Sequence, residues 1–495
     1  MPDEAAAVPS AAAPSAAAPS AAEDAVASAS PPVVIIGGGI GGLAAAVALQ
    51  ARGVRCRVFE RDESWNQRKG YGLTLSNATA LAALGLEDEV RQVNRGCVSD
   101  CHWVFDAGGA VLGYFGIAFT KKTHVQRGNL RVPRVVLRRL LLERLQPGTV
   151  EWGWRLRRYE EEAAGHAAGA SVVTAHLERI DGLNSGDCVG NQSQPESIAV
   201  EASVLVGADG VRSACRALKV GDPLRYVGVV VVLGVSNHQH PLLHEQGFYT
   251  VDGENRLFTM PYEPLDDTPG VQGAGRHTTM WQLSFALDDE EAARRICSGG
   301  GAAVLEEILR RCGAWHTPVP QMLAATEAAT VWGTPLFDRA PMPLRKKKAT
   351  AADSHYAPWH SRVTLMGDAA HCMTPFKGQG ANQALADAPL LAKHIVPPLL
   401  SGGANLSAAL STYEREMGDR AEAKVKASRE AAGVYHSAAA VDPTVYSIEG
   451  VDREHLGEFL ATLKARGINA ECEQLEARAV EVAAELAVAP ALRQL

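Results

Sequence analysis

The chain has 495 residues, of which 46% are hydrophobic and 21% charged, with a formal net charge of -8. This length favours two packed modules with appendages over one domain. The negative balance argues against a nucleic-acid partner, and no run of about 20 apolar residues is present to form a spanning helix. The nine cysteines show no paired spacing. Cys97 and Cys101 lack the second pair a zinc site needs, so reduced thiols in a cytosol-like compartment and no metal are expected.

Residues 1–31 are mostly Ala, Pro and Ser, with the near-repeat Ala-Ala-Ala-Pro-Ser. Such a segment cannot bury a core, which predicts a disordered tail. It has neither the arginines of a transit peptide nor the apolar stretch of a signal peptide.

Order begins at Pro32. Val33 to Ile36 is a short β-branched run and reads as a buried parallel strand. The turn Gly37-Gly38-Gly39-Ile40-Gly41-Gly42 follows at once, and Leu43 to Gln50 reads as a helix. Val54 to Phe59 alternates as a second strand that ends at Glu60, with Arg61 beside it. In this order each residue type has a physical reason. Gly37 permits a tight turn, Gly39 lets backbone approach a pyrophosphate, and Gly42 lets helix and strand pack closely. The helix N-terminus offers unpaired N–H groups and partial positive charge. Glu60 is placed to accept hydrogen bonds from a ribose diol and disfavours a 2′-phosphate. The unit therefore predicts a dinucleotide site, with NAD and FAD undistinguished.

Further along come the segment Gly70-Tyr-Gly72-Leu-Thr-Leu-Ser-Asn77 and Arg134, which precedes Leu137 and Leu140 on one helical face. Val204 to Ser213 runs from a strand into a glycine turn carrying Asp209. Four segments, Val227–Gly234, Gly247–Val251, Arg256–Pro261 and Thr278–Phe285, alternate and are rich in Val, Phe, Tyr and Trp, predicting strands. Arg345 to Lys348 is a short basic run read as a solvated loop. Val363 to His371 is a third strand-to-turn segment with Asp368 at its tip. Pro375-Phe-Lys-Gly378-Gln-Gly380-Ala381-Asn382 then leads into a helix over Gln383–His394. Arg453–Leu463 and Ala470–Ala487 are Ala- and Glu-rich helices with no role assigned by their composition.

The glycine turn, the internal Asp-Gly segment and the late Gly-Asp segment resemble, in order and spacing, the single-component FAD-dependent aromatic hydroxylases typified by p-hydroxybenzoate hydroxylase. The resemblance covers most of Pro32 to about Arg429 and is weakest between Gly221 and Lys348. It implies an α/β fold, with a Rossmann-type FAD-binding domain and an inserted, predominantly β substrate domain. The implied division is 32–225 and 351–430 for the FAD-binding parts, 226–350 for the substrate sheet, and 431–495 for a helical extension.

The resemblance further implies that FAD is held by Gly37, Gly39, Gly42, Glu60, Arg61, Gly72, Arg134, Asp368 and the loop from Pro375 through Gly378, Gly380, Ala381 and Asn382. Asp368 would accept from the ribityl or ribose hydroxyls, with helix capping as its other reading. The helix start at Gly380–Asn382 would face the flavin N1–C2=O edge, where fixed N–H dipoles stabilise reduced flavin. Asp209 is a candidate for cofactor positioning, with a structural turn role as the alternative. His371 is assigned no acid–base role, and Trp332 to Arg339 would be the connector back to the FAD domain.

Tyr249, Phe258, Met260 and Trp281 are candidate walls of a substrate pocket, or simply core. The implied reaction uses NADPH or NADH and O2 to hydroxylate or epoxidise a small organic substrate through a flavin C4a-hydroperoxide. An FAD-dependent reductase acting on an isoprenoid is the alternative. Trp152-Gly-Trp154 is similar to a flavin-halogenase signature, but Arg157 stands where a proline is expected.

Overall fold

The computed structural model describes residues 31–65, 71–99, 101–115, 130–161, 172–180, 196–262, 278–342, 362–403, 405–446 and 453–477. The N-terminal tail, the Arg345–Lys348 run and the end of the last predicted helix lie outside these residues.

The first layer is a parallel sheet built on β1 (Val33–Ile36). It is joined by β2 (Cys56–Glu60), β7 (Val150–Trp152), β11 (Val204–Gly207) and β17 (Val363–Leu365), in the order β17-β11-β1-β2-β7. Every pairing in it is parallel. All four residues of β1 are buried, as expected for a strand covered on both faces. One cover is α1 (Ile40–Gln50), whose residues Leu43 to Leu49 are all buried. Against α1 lies α8 (Gly380–Leu400), a helix that extends beyond the predicted Gln383–His394 and contains Pro389, Pro397 and Pro398. The two helices pack tightly because their contact is made of small residues. A Cβ on Gly41 would stand 3.5 Å from the Cβ of Ala384.

The second layer is a seven-stranded sheet. It comprises β4 (His102–Asp106), β5 (Val111–Phe115), β12 (Arg225–Ser236), β13 (Gly247–Val251), β14 (Asn255–Tyr262), β15 (Thr278–Ala286) and β16 (Trp332–Asp338). The four predicted strands are all present. The expected division kept 32–225 together, but β13 pairs with β4 in parallel and draws residues 102–115 into this sheet. The predicted connector from Trp332 is itself an edge strand, antiparallel to β12.

Alternation divides this sheet into two faces. Val230, Val232, Phe248, Trp281, Leu283 and Phe285 point to the back. They pack there against α4 (Glu290–Ser298), α5 (Gly300–Cys312) and α6 (Val319–Ala324). The C-terminal extension joins the same cluster. Leu460 and Leu463 of α10 (Arg453–Ala465), with Leu475 of a further helical stretch at 469–477, are buried in it. Each such side chain contributes roughly 1.5–3 kcal/mol. The extension is therefore part of the substrate-sheet core. The front face carries Val229, Val231, Leu233, Met260, Tyr262 and Met280 and is turned toward Tyr71 and Phe376.

An antiparallel pair, β3 (Gly72–Leu75) with β6 (Leu130–Pro133), links the layers. A three-stranded antiparallel sheet of β8 (Trp154–Glu161), β9 (Val173–Arg179) and β10 (Ser197–Ala202) completes the strands. The remaining helices used below are α2 (Arg134–Leu142), α3 (Ala214–Lys219), α7 (Asp368–His371) and α9 (Leu406–Tyr435). Among the described residues no helix is long and apolar enough to cross a membrane.

Candidate flavin and substrate site

The glycine turn has the conformation that its sequence requires. Gly37 has φ +109°, where L side chains are strained, and a Cβ there would meet the Ala208 carbonyl oxygen. Gly42 has no room either, since a Cβ would overlap the carbonyl of Gly37. Around Gly39, by contrast, nothing lies within 4 Å of an added Cβ. Backbone at the start of α1 is thus open to a bulky anion beside unpaired helix N–H groups.

Glu60 is buried at the end of β2, where its Oε2 accepts the Gly38 N–H at 2.6 Å and its Oε1 accepts the Asp62 N–H at 3.0 Å. A carboxylate has about four acceptor positions, so capacity for ribose hydroxyls remains. Arg61, next in sequence, is exposed.

Arg138 was missed from sequence. Its guanidinium donates to the carbonyls of Gly38 at 2.9 Å and Trp65 at 2.7 Å, and lies 3.8 Å from Glu60 and 3.4 Å from Asp62. It also stacks over Trp152. This buried cation holds the glycine turn and the acid in one arrangement. The available signal was its place one helical turn after Arg134, on the face turned to the sheet. Trp152 is accounted for by this stacking, and Trp154 by a similar contact with Arg179.

Asp368 opens α7 at the tip of β17, and the helix has no side-chain cap, so its carboxylate is not spent on capping. One oxygen stands 3.7 Å from where a Cβ of Gly380 would be. The residue is exposed to solvent, yet the protein around it raises its pKa above the usual carboxylate value, opposed by the charges of His371 and Arg134. Arg134 starts α2, its N–H bonded to the Tyr71 carbonyl and its guanidinium over the Tyr71 ring. Asp368, Arg134 and the N-terminus of α8 therefore converge.

Pro375 begins a short 3-10 turn, and Gly378 closes it in the left-handed region at φ 60°. The first N–H groups of α8, at Gly380 to Asn382, have no intrahelical acceptor. The Asn382 side chain has a task of its own. It accepts from Ser76 N–H and donates to the carbonyls of Thr74 and Gly378, each at 2.8–2.9 Å. Asn382 thus ties β3 to the loop, and only its backbone is left to face a ligand. Gly72 likewise has a steric role. A Cβ there would stand 2.6 Å from Met260 Cε, where β3 crosses the front of the large sheet.

Two expectations are corrected. Asp209 accepts from Ser213 Oγ at 2.5 Å and from the N–H groups of Ala214 and Cys215 at 2.7 and 3.2 Å. Both oxygens serve the start of α3, so the structural alternative accounts for this residue. Trp281 faces the back cluster, fully buried, with its Nε1 donating to Thr326 Oγ1 at 2.9 Å. A strand alternates faces, so Met280 and not Trp281 lies on the front. A second missed residue, Arg216, is fully buried and bonds Asp222, the Ala369 and Ala370 carbonyls and the Ala340 carbonyl. It fastens the Asp209 segment to the Asp368 segment.

The other three pocket candidates share the front face. Tyr249 stacks on Phe258 with centroids 4.8 Å apart, and Met260 is buried beside them. Arg256, two residues before Phe258, has the same parity. Its buried guanidinium stands 4.6 Å from the Tyr249 ring centroid, 5.4 Å from Phe376 and 4.8 Å from Tyr435. Among the described residues no carboxylate forms an ion pair with it. Phe376 comes from the turn after Thr374 and Tyr435 from the end of α9, so three separate segments close around this cation.

Comparison with known proteins agrees with this geometry. A family described as FAD binding domain matches residues 30–223 and 315–428. A 3-amino-4-hydroxybenzoate 2-monooxygenase of Streptomyces platensis is 30% identical over 414 residues, covering 82% of this chain and 89% of that protein. The aurachin C monooxygenase/isomerase of Stigmatella aurantiaca is 28% identical over 416 residues, covering 79% of this chain and 85% of that protein. In fold, the chain is similar to Klebsiella pneumoniae HpxO complexed with FAD and uric acid. That match has a TM-score of 0.61 at 22% identity, and covers 90% of this chain and 96% of that one. The open backbone at Gly39, the anchored Glu60 and the helix N-terminus beside Asp368 fit FAD, and the chain belongs to this FAD-binding family as an FAD-dependent monooxygenase of the p-hydroxybenzoate hydroxylase-like group.

Proposed function

We propose that the enzyme inserts one oxygen atom into an electron-rich aromatic ring bearing an anionic substituent, with NADPH or NADH as transient reductant. FAD, when bound, supplies the activation of O2. The chain's own residues bind, orient and exclude water. The observation that carries this reading is Arg256, a buried guanidinium that faces aromatic rings with no carboxylate partner among the described residues. A desolvated cation of this kind favours an anion, and the flanking rings favour a flat apolar body. Two named relatives, the 3-amino-4-hydroxybenzoate and 6-hydroxynicotinate monooxygenases, carry such substrates in their names.

In this reading Arg256 holds the charged end, and Tyr249, Phe258 and Met260 flank the ring. The loop at Pro375 to Asn382 presents the cofactor, and Glu60, Arg134 and Asp368 hold its ribose, pyrophosphate and ribityl parts.

The test is consumption of NADPH or NADH and of O2 by the FAD-loaded enzyme, across a panel of phenolic and heteroaromatic acids and their neutral methyl esters. Acids should be turned over and esters poorly. Arg256→Gln should raise KM for acids roughly tenfold to hundredfold, the value of one charge-assisted hydrogen bond. Equal turnover of acid and ester, or an unchanged KM in Arg256→Gln, would overturn the substrate class. Substrate turnover that persists without O2 would overturn oxygen insertion.

A further inference from the structure

A buried polar network joins the segment Val363–His371 to Asp387 and Arg420, which belong to none of the three motifs. Asp387, two turns into α8, has no accessible surface. Its Oδ2 accepts the Gly367 N–H at 2.7 Å and faces His371 Nε2 at 2.7 Å. Its Oδ1 accepts from Arg420 of α9, whose Nε donates to Gln383 Oε1 at 3.0 Å. One carboxylate thus fixes the residue before Asp368, the last residue of α7 and the neighbouring long helix.

The Gly367 backbone is unusual, with φ 56° and ψ -143°, and a Cβ there would stand 3.4 Å from Ala384. Asp368 is the next residue, so the bond from Gly367 N–H to Asp387 holds the backbone from which the Asp368 carboxylate projects. Position 387 stands among Ala384, Leu385, Ala386 and Ala388, all buried. A carboxylate in such a run is costly to bury unless partners compensate it. Here the compensation comes from a backbone N–H, an imidazole and a guanidinium.

We infer that Asp387, with His371 and Arg420, is a positioning unit that aims Asp368 at FAD and makes cofactor affinity depend on the protonation of His371. The inference rests on the assignment of Asp368 to the cofactor. Burial of the His371 ring opposes its charged form, but the charge and hydrogen bond of Asp387, with the charge of Asp368, outweigh that and leave its pKa above the ordinary value. Arg420 acts in the other direction, and Arg216 of α3 reaches the Ala369 and Ala370 carbonyls between them.

The sign follows. With a raised folded-state pKa, the imidazolium and its charge-assisted bond to Asp387 are fully present below the unfolded value, and as pH rises through the folded one the charge is lost while Nε2–H can still donate. Loss of that cation next to Asp368 removes positive charge from a site that must hold an anionic pyrophosphate. FAD affinity should therefore fall on the alkaline side.

The experiment titrates apoprotein with FAD, following flavin fluorescence from pH 6 to 9, with apoprotein melting measured in parallel. The proteins are wild type, Asp387→Asn, Arg420→Gln, Arg420→Lys and Asp368→Ala. Arg420 is partly exposed, so its replacement leaves no sealed cavity. Arg420→Gln should weaken FAD roughly tenfold, about one charged hydrogen bond, with Arg420→Lys recovering part of it. Asp387→Asn should shift the alkaline fall in affinity to lower pH. A lowered melting temperature in Asp387→Asn and Arg420→Gln, with FAD affinity and pH profile as in wild type, would reduce the network to a structural one and overturn the inference. If Asp368→Ala alone weakens FAD, the site assignment stands and the positioning unit falls. Unchanged affinity in Asp368→Ala would overturn both.

Discussion

Gly72 and Met260 meet where β3 crosses the front of the seven-stranded sheet, and a Cβ at position 72 would stand 2.6 Å from Met260 Cε and 2.7 Å from its Sδ. The blocking atoms are the end of a flexible side chain, but that side chain is buried. Gly72→Ala should therefore cost about 1–3 kcal/mol by overpacking. Met260→Ala alone should cost about 2–5 kcal/mol by leaving a cavity. The double variant should cost less than the sum, because each change relieves the other. Urea unfolding of the four proteins checks this, and strict additivity would mean that the two residues do not touch.

Asp209 should behave as a structural residue. Asp209→Ala removes the acceptor for two N–H groups at the start of α3. The expected loss is about 1–2 kcal/mol of stability, as for other helix caps. FAD affinity of the folded fraction should stay within about twofold, a free-energy change below 0.5 kcal/mol. A hundredfold loss of FAD affinity with normal melting would return Asp209 to the cofactor site.

Arg138 should matter before any chemistry. Arg138→Met leaves the Gly38 carbonyl without this donor and removes this cation from the buried Glu60 and the half-buried Asp62. Breaking a buried charged network from one side costs about 3–5 kcal/mol. Apoprotein melting should fall accordingly, and FAD affinity with it, whereas Arg139→Met on the exposed face should melt like wild type. Equal melting of the two variants would show that Arg138 does not hold the turn.

His436 predicts an acid limb in stability. Burial, with the nearby charge of Arg256, pushes its pKa down from 6.5 to about 4. Nδ1 lies 2.7 Å from the Ala432 carbonyl and Nε2 lies 2.9 Å from Ser284 Oγ, an arrangement suited to the neutral ring. A depressed folded-state pKa means that this contribution is complete above 6.5 and is lost as pH falls toward 4. Its size is at most about 3 kcal/mol, and less for a partly exposed ring. Chemical unfolding at pH 7.5 and pH 5 should show the loss in wild type and a smaller one in His436→Gln. Equal acid slopes would rule His436 out as the cause.

The nucleotide-binding half was legible because its chemistry is local. Val33 to Glu60 forms one strand, turn, helix and strand in which backbone geometry demands glycine and a ribose diol calls for an acid. Residues close in sequence carried that argument, and the same holds for Asp368 and the start of α8. The substrate sheet was legible as strands, since alternation is also local. Which face a given residue presents was not. Trp281 and Met260 looked alike as apolar residues in alternating runs, and only the register of β14 against β15 put one at the back and the other beside Gly72.

The residues that the sequence hid act across long separations. Arg138 meets Gly38, Arg216 meets Ala370, Asp387 meets Gly367, and Arg256 meets Tyr435. Each is a charged side chain taken out of water, and its partners are set by the packing of elements that no local pattern relates. The sequence by itself determined a dinucleotide turn and, through its motifs, an FAD enzyme. The tertiary structure decided which charges are buried together and which side chains share the front of the sheet.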